Sequence, residues 1–374
     1  MAATRSGVRR RARFHTLTVR EVRRLTSDSV EVAFAVPDDL VDDYGYSPGQ
    51  YVALRTTLAS SDGAELRRSY SICQPPVPGE VRVAVKRDVG GRFSSWVNDS
   101  LEAGMSLDVM SPEGNFTTDL ASADGKHFAA IAAGSGITPV IALMRALLDG
   151  TEHARFSLVY TNRTSLDVMF LEELADLKDR YPQRVALHHV LSREERSSEL
   201  LSGRIDADRL DRILDSLVPP TDVDEWFLCG PFDLVELTRT RLADAGVDRG
   251  AIHFELFTTD RPNRAAPGST GAPVSPGASD HAATVRFTLD GRTSTVVMPE
   301  PATESVLNAA LRVRPDVPFA CAGGVCGTCR ARVLSGTVRM TENYALEPDE
   351  LDAGYVLTCQ SHPTTDAVTV DYDG

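Results

Sequence analysis

Four cysteines carry the most specific chemistry in this sequence. Cys321, Cys326 and Cys329 lie on one short loop, Cys321-Ala-Gly-Gly-Val-Cys326-Gly-Thr-Cys329, and Cys359 follows after a gap of 29 residues. This C-x4-C-x2-C…C spacing is the plant-type arrangement for a [2Fe-2S] cluster, with three thiolates on a tight loop and the fourth on a distant segment. Gly323, Gly324 and Gly327 suit a loop that must bring backbone N–H groups close to sulfur. A zinc site is the alternative for four cysteines, but structural zinc sites usually show two short C-x2-C-like pairs. A disulfide framework needs an export signal that the sequence lacks. A cluster exchanges single electrons, so the rest of the chain should supply a donor or an acceptor.

Other groups suited to chemistry lie upstream. Arg68-Ser69-Tyr70-Ser71 sets a cation, an aromatic face and a hydroxyl along one predicted strand. Gly90-Gly91-Arg92-Phe93-Ser94 precedes a predicted helix over 94–100, and its free N–H groups, helix dipole and guanidinium would seat a pyrophosphate. An ordinary strand and an ordinary turn are the alternatives for these two patches. Gly134-Ser-Gly136-Ile-Thr138-Pro139 joins a predicted strand to a predicted helix, where α/β folds bind nucleotide phosphates. Thr138 is expected to cap that helix and Pro139 to stand in its first turn. Pro139 replaces the third glycine of G-x-G-x-x-G, so the ordinary dinucleotide fingerprint is absent. Arg163 stands after the next strand, where an acidic residue would bind a ribose 2′-hydroxyl. A cation there suits a 2′-phosphate, a solvated loop arginine being the alternative. Cys229-Gly230-Pro231 would place a small thiol and bare backbone at another strand end.

The elements that must position these groups fall into three regions. Residues 14–122 show short apolar strands over 17–22, 30–36, 51–58, 68–73 and 81–86, divided by turn signals, which predicts an antiparallel β-barrel. Residues 123–258 alternate strand and helix, which predicts an α/β domain on a parallel sheet. Residues 259–283 are rich in proline and glycine and read as a linker. From 284 to 374, a strand pair about Asp290-Gly291, a helix starting at Thr303 or Ser305 and the cysteine loop suit a small β-grasp domain. The fold class expected is therefore multidomain.

Composition narrows the function. The 374 residues are 42% hydrophobic and 25% charged, with a formal net charge of -14. That balance argues against a nucleic-acid partner, since phosphate binding needs a basic face. The basic segment 1–13 leads into no apolar run, and no stretch of about 18 apolar residues exists to cross a membrane. A cytoplasmic, reduced protein is expected, with no membrane partner.

Taken together and in this order, the Arg68–Ser71, Gly134–Pro139 and Cys229–Pro231 motifs resemble the ferredoxin-NADP reductase superfamily. A plant-type ferredoxin domain at the C-terminus makes the chain similar to reductase components of multicomponent oxygenases. Leu66–Cys73, Val83–Lys86, Gly90–Ser94, Ala132–Pro139, Asn162–Ser165, Cys321–Cys329, Asn343-Tyr344, Leu346–Leu351 and Ala353–Leu357 resemble in particular the reductase subunits of phenylacetyl-CoA ring 1,2-epoxidases. The resemblance runs over nearly the whole chain from Phe14.

It implies FAD, a [2Fe-2S] cluster and NADPH, with NADH the alternative reductant. Arg68, Tyr70 and Ser71 would hold the flavin phosphate, ring face and N5 edge, with Lys86, Gly91, Arg92, Phe93 and Ser94 along the cofactor. Gly134, Gly136, Thr138, Gly230 and Pro231 would seat the nucleotide, and Arg163 its adenosine end. Ser71, Cys229 and Glu255 are the expected catalytic residues, Phe257 would cover the isoalloxazine, and Cys321, Cys326, Cys329 and Cys359 would hold the iron. The resemblance implies electron transfer from NADPH through flavin and cluster to the di-iron oxygenase subunits of a phenylacetyl-CoA epoxidase. Alternatives are the reductase of a Rieske-type ring- or steroid-hydroxylating oxygenase and, in another class, a non-catalytic iron–sulfur redox sensor.

Overall fold

A computed structural model describes residues 13–58, 65–256, 282–299, 304–314, 317–319, 323–324, 327–346 and 348–373. The basic segment 1–12, most of the expected linker 259–283, Phe257, Cys321 and Cys326 lie outside the described residues. Phe14 to Asp260 form one compact unit and the C-terminal region another.

The first unit opens with six strands: β1 (Phe14–Thr26), β2 (Ser29–Ala35), β3 (Tyr51–Thr57), β4 (Glu65–Ser71), β5 (Glu80–Lys86) and β6 (Ser106–Met110). Helix α1 (Arg92–Ser100) lies between the last two. They pair antiparallel in the order β4-β3-β6-β1-β2-β5. Val30, Val32 and Phe34 of β2 and Val81, Val83 and Val85 of β5 alternate into one buried cluster, as the period of two requires. The sheet closes at one corner, where Ile72 bridges Val83 and the Cys73 N–H donates to the Arg82 carbonyl at 2.9 Å. Strand β6 has no clear signature in the sequence, yet it joins β3 to β1.

The same unit continues into a parallel sheet with strands β7 (His127–Ala133), β8 (Arg155–Asn162), β9 (Val185–Leu191), β10 (Glu225–Gly230) and β11 (Ile252–Leu256). They are joined by helices α2 (Ile137–Gly150), α3 (Leu171–Arg180), α4 (Ala207–Ser216) and α5 (Phe232–Asp244). The order is β11-β10-β7-β8-β9. Central β7, Phe128-Ala-Ala-Ile-Ala132, is buried along its length, as a strand covered on both faces must be. The chain builds outward from β7 on one side and returns to its other side with β10. The carboxyl ends of β7 and β10 therefore flank the topological switch point, where such sheets bind ligands. Cys73, Ala84 and Phe116 from the barrel side belong to the parallel sheet's core, so these two regions share one hydrophobic interior.

The second unit contains β12 (Ala283–Leu289), β13 (Arg292–Met298), α6 (Val306–Leu311), β14 (Arg330–Ser335), β15 (Val338–Met340), α7 (Pro348–Asp352), β16 (Tyr355–Leu357), β17 (Ser361–Pro363) and β18 (Ala367–Asp371). A mixed sheet of order β13-β12-β18-β14-β16, with β12 and β18 parallel, holds α6, and β15 pairs with β17. Asp290 and Gly291 both take positive φ in the hairpin, as a two-residue turn of that type needs. Ser305 caps α6 by accepting from the Asn308 N–H at 3.2 Å. Among the described residues, no helix is long and apolar enough to cross a membrane.

Candidate functional site

A cavity of about 620 Å³ opens between the barrel and the carboxyl ends of β7, β8 and β10. Of the expected residues, Arg68, Tyr70, Ser71, Lys86, Gly134, Thr138, Arg163, Gly230 and Pro231 line it. The barrel meets the parallel sheet through one hydrogen bond between expected catalytic groups: Ser71 Oγ, at the end of β4, donates to Glu255 Oε2 at 2.8 Å. Glu255 on β11 pairs in register with Cys229 on β10, which pairs with Ala132 on β7. Cys229 is fully buried, and burial, reinforced by the nearby Glu255 charge, pushes its thiol well above the ordinary range. It is therefore a small neutral S–H at neutral pH.

The glycine turn is shaped by contact. Gly134 takes φ +54 after β7, and a Cβ on Gly136 would run into the Cys229 carbonyl. Only a bare backbone lets the turn approach β10 so closely. The cap expected at Thr138 does not form: α2 starts at Ile137, and the Thr138 hydroxyl donates back to the Ser135 carbonyl at 3.0 Å. Tyr160 of β8 braces the turn by donating to the Gly134 carbonyl at 2.8 Å.

Gly91, Arg92, Phe93 and Ser94 do not line the cavity. Phe93 is buried in the barrel core, stacked on Tyr70 with ring centroids 5.9 Å apart. Ser94 Oγ accepts from the Asp88 N–H at 3.0 Å, which turns that hydroxyl into the loop. Phe93 thus lies behind Tyr70 and fixes the ring that does face the cavity, while Arg92 is exposed.

Arg163 reaches the cavity wall already paired. Its Nη2 stands 2.9 Å from Asp28, on the turn between β1 and β2, and 2.6 Å from Asp167. Lys86 Nζ lies 3.2 Å from Asp28 and donates to the Asp167 carbonyl at 3.4 Å. Burial raises both acids, but hydrogen bonds from Thr26 and Thr164 and the charges of Lys86 and Arg163 outweigh it, holding both below the ordinary carboxylate range. Two carboxylates therefore compete with any phosphate for Arg163.

Three further lining residues, Ser192, Arg204 and Asp233, carry no signal that sequence reasoning picked out. Ser192 directly follows β9 and could have been found as a third strand end. Arg204 arrives because Gly203, at φ +97, donates its N–H to the Leu191 carbonyl at 2.8 Å. Its guanidinium has no ion-pair partner among the described residues.

The cavity fits a flavin and a pyridine nucleotide. Ser69 Oγ is buried there without a hydrogen-bond partner among the described residues, and Arg68 spends one donor on its neighbour's carbonyl, Arg67 O, at 2.7 Å. Both could serve a polar ligand.

In the second unit, Cys329 and Cys359 are buried. The β14–β16 pairing and Thr358, whose N–H and hydroxyl both donate to the Cys329 carbonyl at 3.2 and 2.8 Å, bring the two cysteine positions to one end of the sheet. Gly324 and Gly327 take φ +82 and +70, and a Cβ on Gly324 would come within 3.0 Å of Gln360 Cγ and the Glu342 carbonyl. The close fit at Gly324, together with soft thiol ligands, fits a [2Fe-2S] cluster.

A barrel and a parallel sheet meeting at a nucleotide cleft, followed by a cysteine-bearing mixed sheet, define a flavin-dependent, pyridine-nucleotide-linked electron-transfer reductase. Residues 16–118 match the oxidoreductase FAD-binding domain family, 130–240 the oxidoreductase NAD-binding domain family and 287–364 the 2Fe-2S iron-sulfur cluster binding domain family. The chain belongs to the ferredoxin-NADP reductase superfamily, in the branch that carries a C-terminal 2Fe-2S ferredoxin domain. It is 45% identical over 360 residues to a subunit of the 1,2-phenylacetyl-CoA epoxidase of Escherichia coli K12, covering 96% of this chain and 98% of that protein. It is 35% identical over 360 residues to the ferredoxin reductase component of 3-ketosteroid-9-alpha-monooxygenase of Rhodococcus rhodochrous, covering 95% and 96%. Phthalate dioxygenase reductase shares the fold, with a TM-score of 0.56 at 22% identity over 96% of this chain and 98% of that one. FAD, a pyridine nucleotide and a [2Fe-2S] cluster are thus the cofactors of this oxidoreductase.

Proposed function

We propose that the chain is the reductase component of a phenylacetyl-CoA ring 1,2-epoxidase, using NADPH to supply electrons to separate di-iron oxygenase subunits. The observation that carries this reading is the 45% identity to a component of such an epoxidase across essentially the full length of both chains. The ketosteroid monooxygenase reductase is more distant at 35%. The acyl-CoA would be bound by the oxygenase and never by this chain. We also assign the chain to the cytoplasm, which the buried free thiols of Cys73 and Cys229 support.

A bound flavin would supply the exchange between the electron pair of a hydride and single electrons that a cluster can accept. The chain's own residues have distinct tasks in this reading. Arg68 would turn its guanidinium from the Arg67 carbonyl to a cofactor phosphate. Ser71 Oγ would hold its proton between Glu255 and the flavin edge, its 2.8 Å bond keeping the hydroxyl aimed. The neutral Cys229 thiol and bare Gly230 would let a nicotinamide approach without charge repulsion. Gly134, Gly136 and Thr138 would receive nucleotide phosphates, and Cys321, Cys326, Cys329 and Cys359 would hold the iron.

The test is reconstitution. The purified chain, NADPH, phenylacetyl-CoA and di-iron oxygenase subunits of such an epoxidase should together yield the ring epoxide, with none formed when this chain is omitted. NADPH-dependent dye reduction without any epoxide would overturn the acceptor assignment and favour the Rieske-type alternative. Absence of dye reduction would favour the redox sensor.

A further inference from the structure

We propose that Gln360 donates a side-chain hydrogen bond to Cys359 and thereby raises the reduction potential of the cluster. Gln360 is 2% exposed, and its Nε2 lies 3.6 Å from Cys359 Sγ, within reach of an N–H···S bond. Its backbone is fixed on both sides. The Gln360 N–H donates to the Leu357 carbonyl at 2.9 Å, and its own carbonyl accepts from the Thr341 N–H at 2.9 Å and the Thr341 hydroxyl at 3.2 Å. Its Cγ lies against Gly324, on the cysteine loop, where a Cβ would come within 3.0 Å. The loop has therefore no side chain where the glutamine packs.

The chemistry settles which end of the amide faces sulfur. A ligand thiolate carries no proton and can only accept. A buried amide beside it must then present its NH2 group, because the carbonyl oxygen would be repelled. An N–H···S bond withdraws electron density from the ligand. Reduction adds negative charge to the cluster, so the bond is stronger in the reduced state, and hydrogen bonds to sulfur are among the factors that set such potentials. Gln360 acts through Cys359 and is a positioning residue in this sense. The inference rests on Cys359 being a cluster ligand.

The test is a redox titration of the full-length holoprotein, followed by visible absorption and by electron paramagnetic resonance of the reduced cluster. At the wild-type midpoint, Gln360→Met should lower the ratio of reduced to oxidised cluster several-fold, a tenfold fall corresponding to about 59 mV for one electron. Gln360→Glu, which places an acceptor beside the sulfur, should lower it further. An unchanged ratio in a Gln360→Met protein with an intact cluster spectrum would overturn the proposal.

If the variants lose the cluster, the wild-type chain carries the test. Gln360 is the only glutamine in residues 284–374. Protein made with glutamine 15N-labelled in its side-chain amide should show a 15N coupling to the reduced cluster in pulsed resonance spectra. No coupling would overturn the bond. A Cys359→Ala protein that keeps an unaltered cluster spectrum would instead overturn the ligand assignment, and this proposal with it.

Discussion

Two side chains at the mouth of the cavity are held by partners distant in sequence, and both bonds lead to measurable consequences. Arg163 is clasped by Asp28, 135 residues away, as well as by its neighbour Asp167. If Arg163 receives a 2′-phosphate, Asp28→Asn should free it and lower KM for NADPH several-fold, with KM for NADH unchanged. Arg163→Ala should raise KM for NADPH alone, and equal effects of either change on the two nucleotides would remove Arg163 from that role. Ser71→Ala deletes the bond to Glu255 and should slow reduction of the bound flavin by about 10²-fold, comparable to the loss of one preorganised donor. Stopped-flow absorbance at saturating NADPH reads that rate directly, and a rate near wild type would exclude the hydroxyl from the step. The types of Ser71, Arg163 and Glu255 were legible in the sequence. Their pairings were not, because a bond from one barrel turn to a loop of the parallel sheet leaves no local pattern. Gln360 was silent for the same reason, since its meaning depends on what lies across from it.

At the scale of elements, the glycine turn between β7 and α2 shows how local sequence and tertiary contact combine. The apolar run Phe128–Ala133 and the glycines after it were readable as a strand feeding a phosphate-binding turn. The reason for the second glycine was not, because it lies in the Cys229 carbonyl of a strand formed about 90 residues later. Gly136→Ala should push the turn off β10 and cost roughly 1 to 3 kcal/mol, as overpacking does. A lower melting temperature together with weakened NADPH binding is expected, and a variant with wild-type stability and binding would contradict the close approach. Strand β6 is hard to see because Ser106-Leu-Asp-Val-Met110 offers only a short alternation, too brief to read without the neighbours β3 and β1 that it joins. The start of α2 moved for a similar reason: packing against β7, β8 and β10 draws Ile137 and Thr138 into the helix, where the sequence put a cap at Thr138 and the first turn at Pro139.

Across the whole molecule, the amino ends of the parallel strands, opposite the carboxyl ends that line the cavity, contribute stability that depends on pH. Glu225, at the start of β10, lies 3.0 Å from Lys126, just before β7, and 3.2 Å from His253, near the start of β11. The hydrogen bond from His253, aided by Lys126 against the opposing effect of burial, lowers its carboxyl to about 2. A depressed carboxylate stabilises the fold fully above its ordinary value of 4.5, and that contribution fades as pH falls from there towards about 2. Allowing for partial exposure, Glu225→Gln should cost roughly 1 to 2 kcal/mol at pH 7 and clearly less at pH 3. Denaturation followed by the fluorescence of Trp226, buried beside Glu225, would report it, and an equal cost at both pH values would contradict the linkage. The division into reductase and cluster-bearing regions was legible from composition and spacing. The common core of barrel and parallel sheet was not, because Cys73, Ala84 and Phe116 look like ordinary barrel residues until the sheet packs on them. One chain carries electrons from a pyridine nucleotide to its own iron–sulfur centre. The most direct measurement is an anaerobic titration of the purified protein with NADPH, and separately with NADH, while the visible flavin and cluster bands are recorded. Bleaching of both sets of bands, faster with NADPH, is the expected result; absent flavin bands, or cluster bands that neither nucleotide reduces, would contradict it.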